Sequence, residues 1–110
     1  MALYMHQISY TLEGWKALIA KPQNRLEAVR PAIEKLGGKL EAGWFSFGDY
    51  DIIAITDFPD HVSAAAIAIA FAAGGSCRSV KTTPLLSTAE GVEALKRAGT
   101  AGYKSIAAGR

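Results

Sequence analysis

The sequence predicts an α+β domain, and three observations carry that expectation. Short runs of β-type residues alternate with helix-length runs, the helices are introduced by capping residues, and paired glycines close two of them. At 110 residues there is room for one such domain and little more.

The elements follow in order. Leu3 to Thr11 is aromatic, β-rich and short enough for a strand. Thr11 is placed to cap a short helix through Trp15, Leu18 and Ile19 that stops near Lys21-Pro22. Asn24 restarts the helix, with Leu26, Val29, Ile33 and Leu36 at helical spacing, and Pro31 should bend it if it is continuous there. Gly37-Gly38 supplies the left-handed C-terminus. Lys39–Phe47 and Tyr50–Phe58 read as two strands joined by a two-residue type II′ turn at Gly48-Asp49. Asp60 then caps a helix from Val62 to Ala73 whose only polar side chain is Ser63, the pattern of a buried helix closed by Gly74-Gly75. Cys77 to Leu85 forms the fourth strand, with Pro84 as an edge marker. Ser87-x-x-Glu90 is a capping box opening a last helix to about Ala98.

The order β-α-β-β-α-β, closed by right-handed crossovers, gives a ferredoxin-like antiparallel sheet with its main helices on one face and a C-terminal helix beyond. Residues 1–87 form the domain and 88–110 the C-terminal helix and a Gly/Ala/Ser-rich tail. Strand one puts Tyr4, His6, Ile8 and Tyr10 on one face. Strand two puts Leu40, Ala42 and Trp44 on one side and Phe45 and Phe47 on the other, and strand three carries isoleucines on both. A sheet with one wet face alternates more cleanly. The second apolar face is therefore expected to meet another copy of the same sheet, in a homodimer or higher homo-oligomer.

Composition excludes several function classes. Twelve Lys+Arg against ten Asp+Glu leave a formal charge of +2, too small and dispersed for a nucleic-acid footprint. No run approaches the ~20 apolar residues of a membrane span, and the first residues lack a signal peptide's pattern. The single cysteine, Cys77, excludes an internal disulfide and fits a reducing cytoplasm.

Thr11-x-x-Gly14, Asn24-Arg25, Gly37-Gly38, Gly48-Asp49-Tyr50-Asp51 and Pro59-Asp60 ahead of an alanine-rich helix together resemble the GYD-domain family, from about Tyr4 to Ser87. The resemblance implies pairing as a dimeric α/β barrel and brings no reaction with it. The chain departs from the family's pattern at Gln7, where a larger apolar residue is usual, and at Pro84.

The candidate ligand-binding residues are His6, Trp44, Tyr50, Asp51 and Arg78, with His6, Tyr50 and Asp51 also the catalytic candidates. His6 lies mid-strand among Tyr4, Ile8 and Tyr10, where an imidazole can act as general base or hold an anion; a histidine simply hydrogen-bonded in the core is the blander alternative. Tyr50 and Asp51 offer a donor and an acid/base at the hairpin, although turn chemistry explains both. Trp44 and Arg78 would form a polar–aromatic wall. Asp49, Asp51, Asp57 and Asp60 do not make a joint metal site, since Asp51 and Asp57 lie about 20 Å apart along a strand. His61 follows the cap at a helix N-terminus and is expected on the surface. No metal or cofactor is expected. The leading function is binding of a small organic molecule. The alternatives are a cofactor-independent monooxygenase or isomerase of the dimeric-barrel type, by fold analogy, and a non-catalytic assembly or regulatory module.

Overall fold

The computed structural model describes residues 2–107. Strand β1 (Ala2–Tyr10) leads into helices α1 (Leu12–Ala20) and α2 (Arg25–Lys35). Strands β2 (Lys39–Phe45) and β3 (Ile52–Phe58) follow, then α3 (His61–Ala73), β4 (Cys77–Pro84) and α4 (Thr88–Ala98). The sheet runs β2-β3-β1-β4, with all three pairings antiparallel. This is the ferredoxin-like α+β arrangement expected from the element order.

Each helix start is held by the residue whose chemistry suits it. Thr11 Oγ1 accepts from the Gly14 N–H at 3.0 Å, and Asn24 Oδ1 from Leu26 and Glu27. Asp60 Oδ1 accepts from Ser63 at 2.7 Å, and the capping box of Ser87 and Glu90 closes in both directions. Helix α2 runs unbroken through Pro31 and ends in a Schellman motif. Gly37 takes φ +83° and donates to Glu34, while Gly38 donates to Ile33 at 3.0 Å.

Strand β3 sits centrally and alternates without exception. Ile52, Ala54, Thr56 and Phe58 are buried under the helices, while Ile53, Ile55 and Asp57 point the other way. On β1, Tyr4, His6 and Ile8 face the helices beside Thr56, Ala54 and Ile52. The core joins these residues to Ile33 of α2 and to Ala64 and Ile67 of α3.

Three expectations are corrected. The pairing register of β2 shifts between Leu40 and Ala42, so Leu40 faces the helices opposite Thr56 while Ala42 and Trp44 lie opposite Ile55 and Ile53 on the outer face. One extra residue in a strand reverses the side-chain alternation beyond it. The β2–β3 connection is the six residues 46–51 rather than a two-residue turn. Its ends are tied instead by the Ser46 N–H to the Asp51 carbonyl at 2.9 Å and by Ser46 Oγ to the Tyr50 carbonyl at 2.6 Å. Helix α3 is buried along one stripe only, at Ala64 and Ile67, because the sheet covers a single side; Val62 and Ile69 are exposed. No helix among the described residues is long and apolar enough to cross a membrane.

Candidate functional site

The helices do not fill the space over the inner face of the sheet. A cavity of about 350 Å³ remains between them, within the range of small-molecule sites. Its floor is His6, Ile8, Ile52, Ala54 and Thr56 from the two central strands. Ala17 and Leu18 of α1, Leu26 and Val29 of α2, and Ala70 and Phe71 of α3 supply the walls. Tyr10, Gln23, Arg25, Ser76 and Cys77 also line it, where β1 ends and β4 begins.

Local sequence explains why this volume stays open and why its frame holds. Gly14, on the first turn of α1, lies where a Cβ would come within 2.6 Å of the Ser76 carbonyl. That close approach lets the chain before β4 seat against α1, and the Thr11 N–H donates to the same carbonyl at 2.9 Å. Gly43 on β2 leaves its space to Leu26 of α2. Two wall positions, Ala17 of α1 and Ala70 of α3, carry alanine and leave room beside the longer side chains.

The floor carries one ionisable group, His6, which is fully buried. Both ring nitrogens are engaged: Nδ1 lies 2.9 Å from Thr82 Oγ1 and Nε2 lies 2.7 Å from Thr56 Oγ1. A neutral imidazole has one N–H and one lone pair, so one threonine hydroxyl accepts and the other donates. Burial pushes the imidazole down to about 4, so it stays uncharged at neutral pH. In this state His6 is a satisfied polar spot in an apolar floor, with Phe71 packed edge-on against its ring at 6.4 Å. A base so weakened and doubly bonded is poorly matched to proton abstraction near pH 7.

The rim is different in character. Burial raises the Tyr10 phenol, helped by Cys77 and Asp51 and opposed by Arg25. Burial likewise raises the Cys77 thiol, again against the influence of Arg25. Both groups are therefore protonated at neutral pH, and both feel the Arg25 guanidinium. Tyr10 is fixed by edge-on packing against Trp15, with centroids 5.3 Å apart, and its N–H donates to Asp51 Oδ2 at 2.9 Å. The site can thus offer apolar contact along most of its length, hydrogen bonds at Tyr10 and Gln23, and one fixed positive charge.

Against this geometry, the model of the GYD-domain family matches residues 4–95. The chain belongs to the GYD-domain family. The match runs past Ser87 into α4, further than the quoted motifs reach. Neither the curated proteins nor the solved structures give a match.

In this GYD-domain chain the five sequence candidates do not converge. His6 lines the cavity; Trp44, Tyr50, Asp51 and Arg78 do not. Trp44 stands on the outer face of the sheet, 59% exposed. Tyr50 lies in the β2–β3 loop, its carbonyl held by Ser46. Asp51 extends the sheet past the last β1–β3 pair: its N–H donates to the Ile8 carbonyl at 2.8 Å while its carboxylate accepts from Tyr10. Arg78 sits exposed at the irregularity where Tyr10 pairs with Cys77 and Ser9 with Ser79. His61 is exposed, yet its Nδ1 lies 2.8 Å from the Tyr4 hydroxyl, so it tethers the start of α3 to β1. Among the described residues no group of three or more His, Cys, Asp or Glu is placed to hold a metal ion.

Sequence reasoning passed over Tyr10, Gln23, Arg25, Phe71 and Cys77 as cavity residues. Two signals were present. Tyr10 shares the strand face of His6, and Arg25 belongs to the Asn24-Arg25 pair that helps mark the family. Phe71 gave none, because α3 is apolar all round and its inward stripe is set only by docking.

Proposed function

We propose that this GYD-domain protein binds a small, mainly apolar organic molecule in the cavity between the sheet and helices α1 to α3. The observation that carries the reading is the cavity itself: about 350 Å³, lined mostly by aliphatic and aromatic side chains, over a floor whose buried histidine is already satisfied. A concave apolar volume of this size with few polar groups is the usual form of a small-molecule site. A bulky residue on the wall tests it. Ala17→Trp and Ala70→Phe are expected to weaken binding of an aromatic probe such as 2-naphthamide by about tenfold or more, read by calorimetry. Unchanged affinity in both variants overturns the reading.

The working form is a homodimer built on the outer face of the sheet. Met5, Ile53, Ile55, Ala42 and Trp44 collect there, with no helix of the cavity wall on that side. Asp57 lies on the same face, its Oδ1 buried without a hydrogen-bond partner among the described residues. Sedimentation at micromolar concentration is expected to give a dimer, and Ile55→Lys a monomer; a monomeric parent chain would remove this part of the proposal. A reducing compartment such as the cytoplasm suits Cys77, whose free thiol lines the cavity.

A further inference from the structure

We infer that the molecule taken by this cavity is an organic acid, an apolar body bearing one carboxylate that pairs with Arg25 at the rim. This rests on the reading of the cavity as a binding site and names the class of its ligand.

Among the described residues that line the cavity, Arg25 is the one that carries a formal charge at neutral pH; none is Asp, Glu or Lys, and His6 is neutral. The guanidinium is held but not neutralised. Its Nη1 donates to Gln23 Oε1 at 2.9 Å, an uncharged acceptor, and Arg25 makes no ion pair among the described residues. Elsewhere in the chain arginines do find carboxylates: Arg30 pairs with Glu27 at 2.8 Å and Arg97 with Glu93 at 3.3 Å. Asp51, the carboxylate whose influence reaches Tyr10, spends Oδ2 on the Tyr10 N–H and does not pair with Arg25.

A half-buried guanidinium held by one neutral contact keeps several N–H donors in a planar fork. That fork matches a carboxylate bidentately and has no comparable match to a neutral amide or an amine. The position sets the ligand's orientation as well. Arg25 opens helix α2 beside Tyr10 and Cys77, whereas Ile33 and the His6 floor are fully buried and offer no charge. The acid group therefore sits at the rim with its apolar body over the floor, and Tyr10, protonated, adds a second donor there. A cationic ligand would meet Arg25 with no compensating acid.

Paired probes test this. Naphthalene-2-carboxylate and 2-naphthamide share an apolar body and differ in charge, as do decanoate and decanamide. Binding is followed by calorimetry and by fluorescence of Trp15, which packs on Tyr10. The carboxylate of a pair is expected to bind the parent chain about tenfold or more tighter than its amide. Arg25→Gln is expected to erase that preference, and Arg25→Lys to retain part of it. Equal affinity for acid and amide in the parent chain overturns the acid assignment and leaves the cavity reading standing. An equal loss for both probes in Arg25→Gln does the same. Failure of every probe, or undiminished binding to both Ala17→Trp and Ala70→Phe, overturns both.

Discussion

The two faces of one sheet have been built to opposite ends. On the inner face Tyr4, His6, Ile8, Ile52, Ala54, Thr56 and Phe58 are all buried, and the two ring nitrogens of His6 are satisfied by hydroxyls from neighbouring strands. On the outer face Trp44 is 59% and Leu3 43% exposed, and one carboxylate oxygen of Asp57 is buried without a partner among the described residues. The contrast shows where polar burial has been resolved within the chain and where it has not. Inside, a histidine is tolerated because its partners come with it, since an unmet buried donor or acceptor costs roughly 1–3 kcal/mol. Outside, apolar surface and an orphaned oxygen sit together, which is the surface proposed to meet a second copy.

The sharpest way to break this contrast is a pair of truncations. Phe58 is fully buried on the inner face, and Phe58→Ala is expected to cost about 3–5 kcal/mol in urea denaturation. Trp44→Ala, on the outer face, should leave stability of the monomeric Ile55→Lys background nearly unchanged. A comparable loss at both sites would dissolve the distinction.

The pH dependence follows from His6. Its imidazole falls from 6.5 to about 4 on burial, so between those values the unfolded chain binds a proton that the folded chain does not. Stability is therefore complete above about pH 6.5 and declines as pH falls toward 4, by about 3 kcal/mol over the whole range. Urea midpoints between about pH 6.5 and 5, before most carboxylates titrate, should fall for the parent chain and stay flat for His6→Gln. A parent curve as flat as the variant's would show that His6 is not buried neutral.

Smaller effects come from the frame. Asp51→Ala removes the acceptor of the Tyr10 N–H and is expected to cost about 1–2 kcal/mol, with faster hydrogen exchange at Tyr10. Ser87→Ala undoes the capping box of α4, but no residue of that helix is buried. Hydrogen exchange in α4 should rise while the urea midpoint of the domain stays put; a shift of the midpoint would mean that α4 is coupled to the core.

What the sequence made legible was local. Thr11, Asn24, Asp60 and Ser87 announce helix starts through side-chain oxygens that bond within three residues, and Gly37-Gly38 announces an end through backbone freedom. The irregularity in β2 was not legible, because Leu40-Glu41-Ala42-Gly43 alternates smoothly and the shift arises from pairing with β3. The loop 46–51 misled for a related reason. Gly48-Asp49 has turn chemistry, yet the ends are drawn together by Ser46 and by the anchoring of Asp51 to β1. His6 could be singled out because its strand neighbours are apolar. Arg25 carried a weaker signal, its place in the Asn24-Arg25 pair, and its position at the cavity depends on α2 docking its first turn beside the end of β1.

The proposed binding of an apolar acid on the inner face is tested most directly by amide chemical-shift mapping of the parent chain titrated with naphthalene-2-carboxylate. Shifts are expected at Tyr10, Leu18, Arg25, Val29, Phe71 and Cys77, with Met5, Trp44, Ile53 and Ile55 unmoved. Shifts gathered on the outer-face residues, or none at saturating acid, would contradict it.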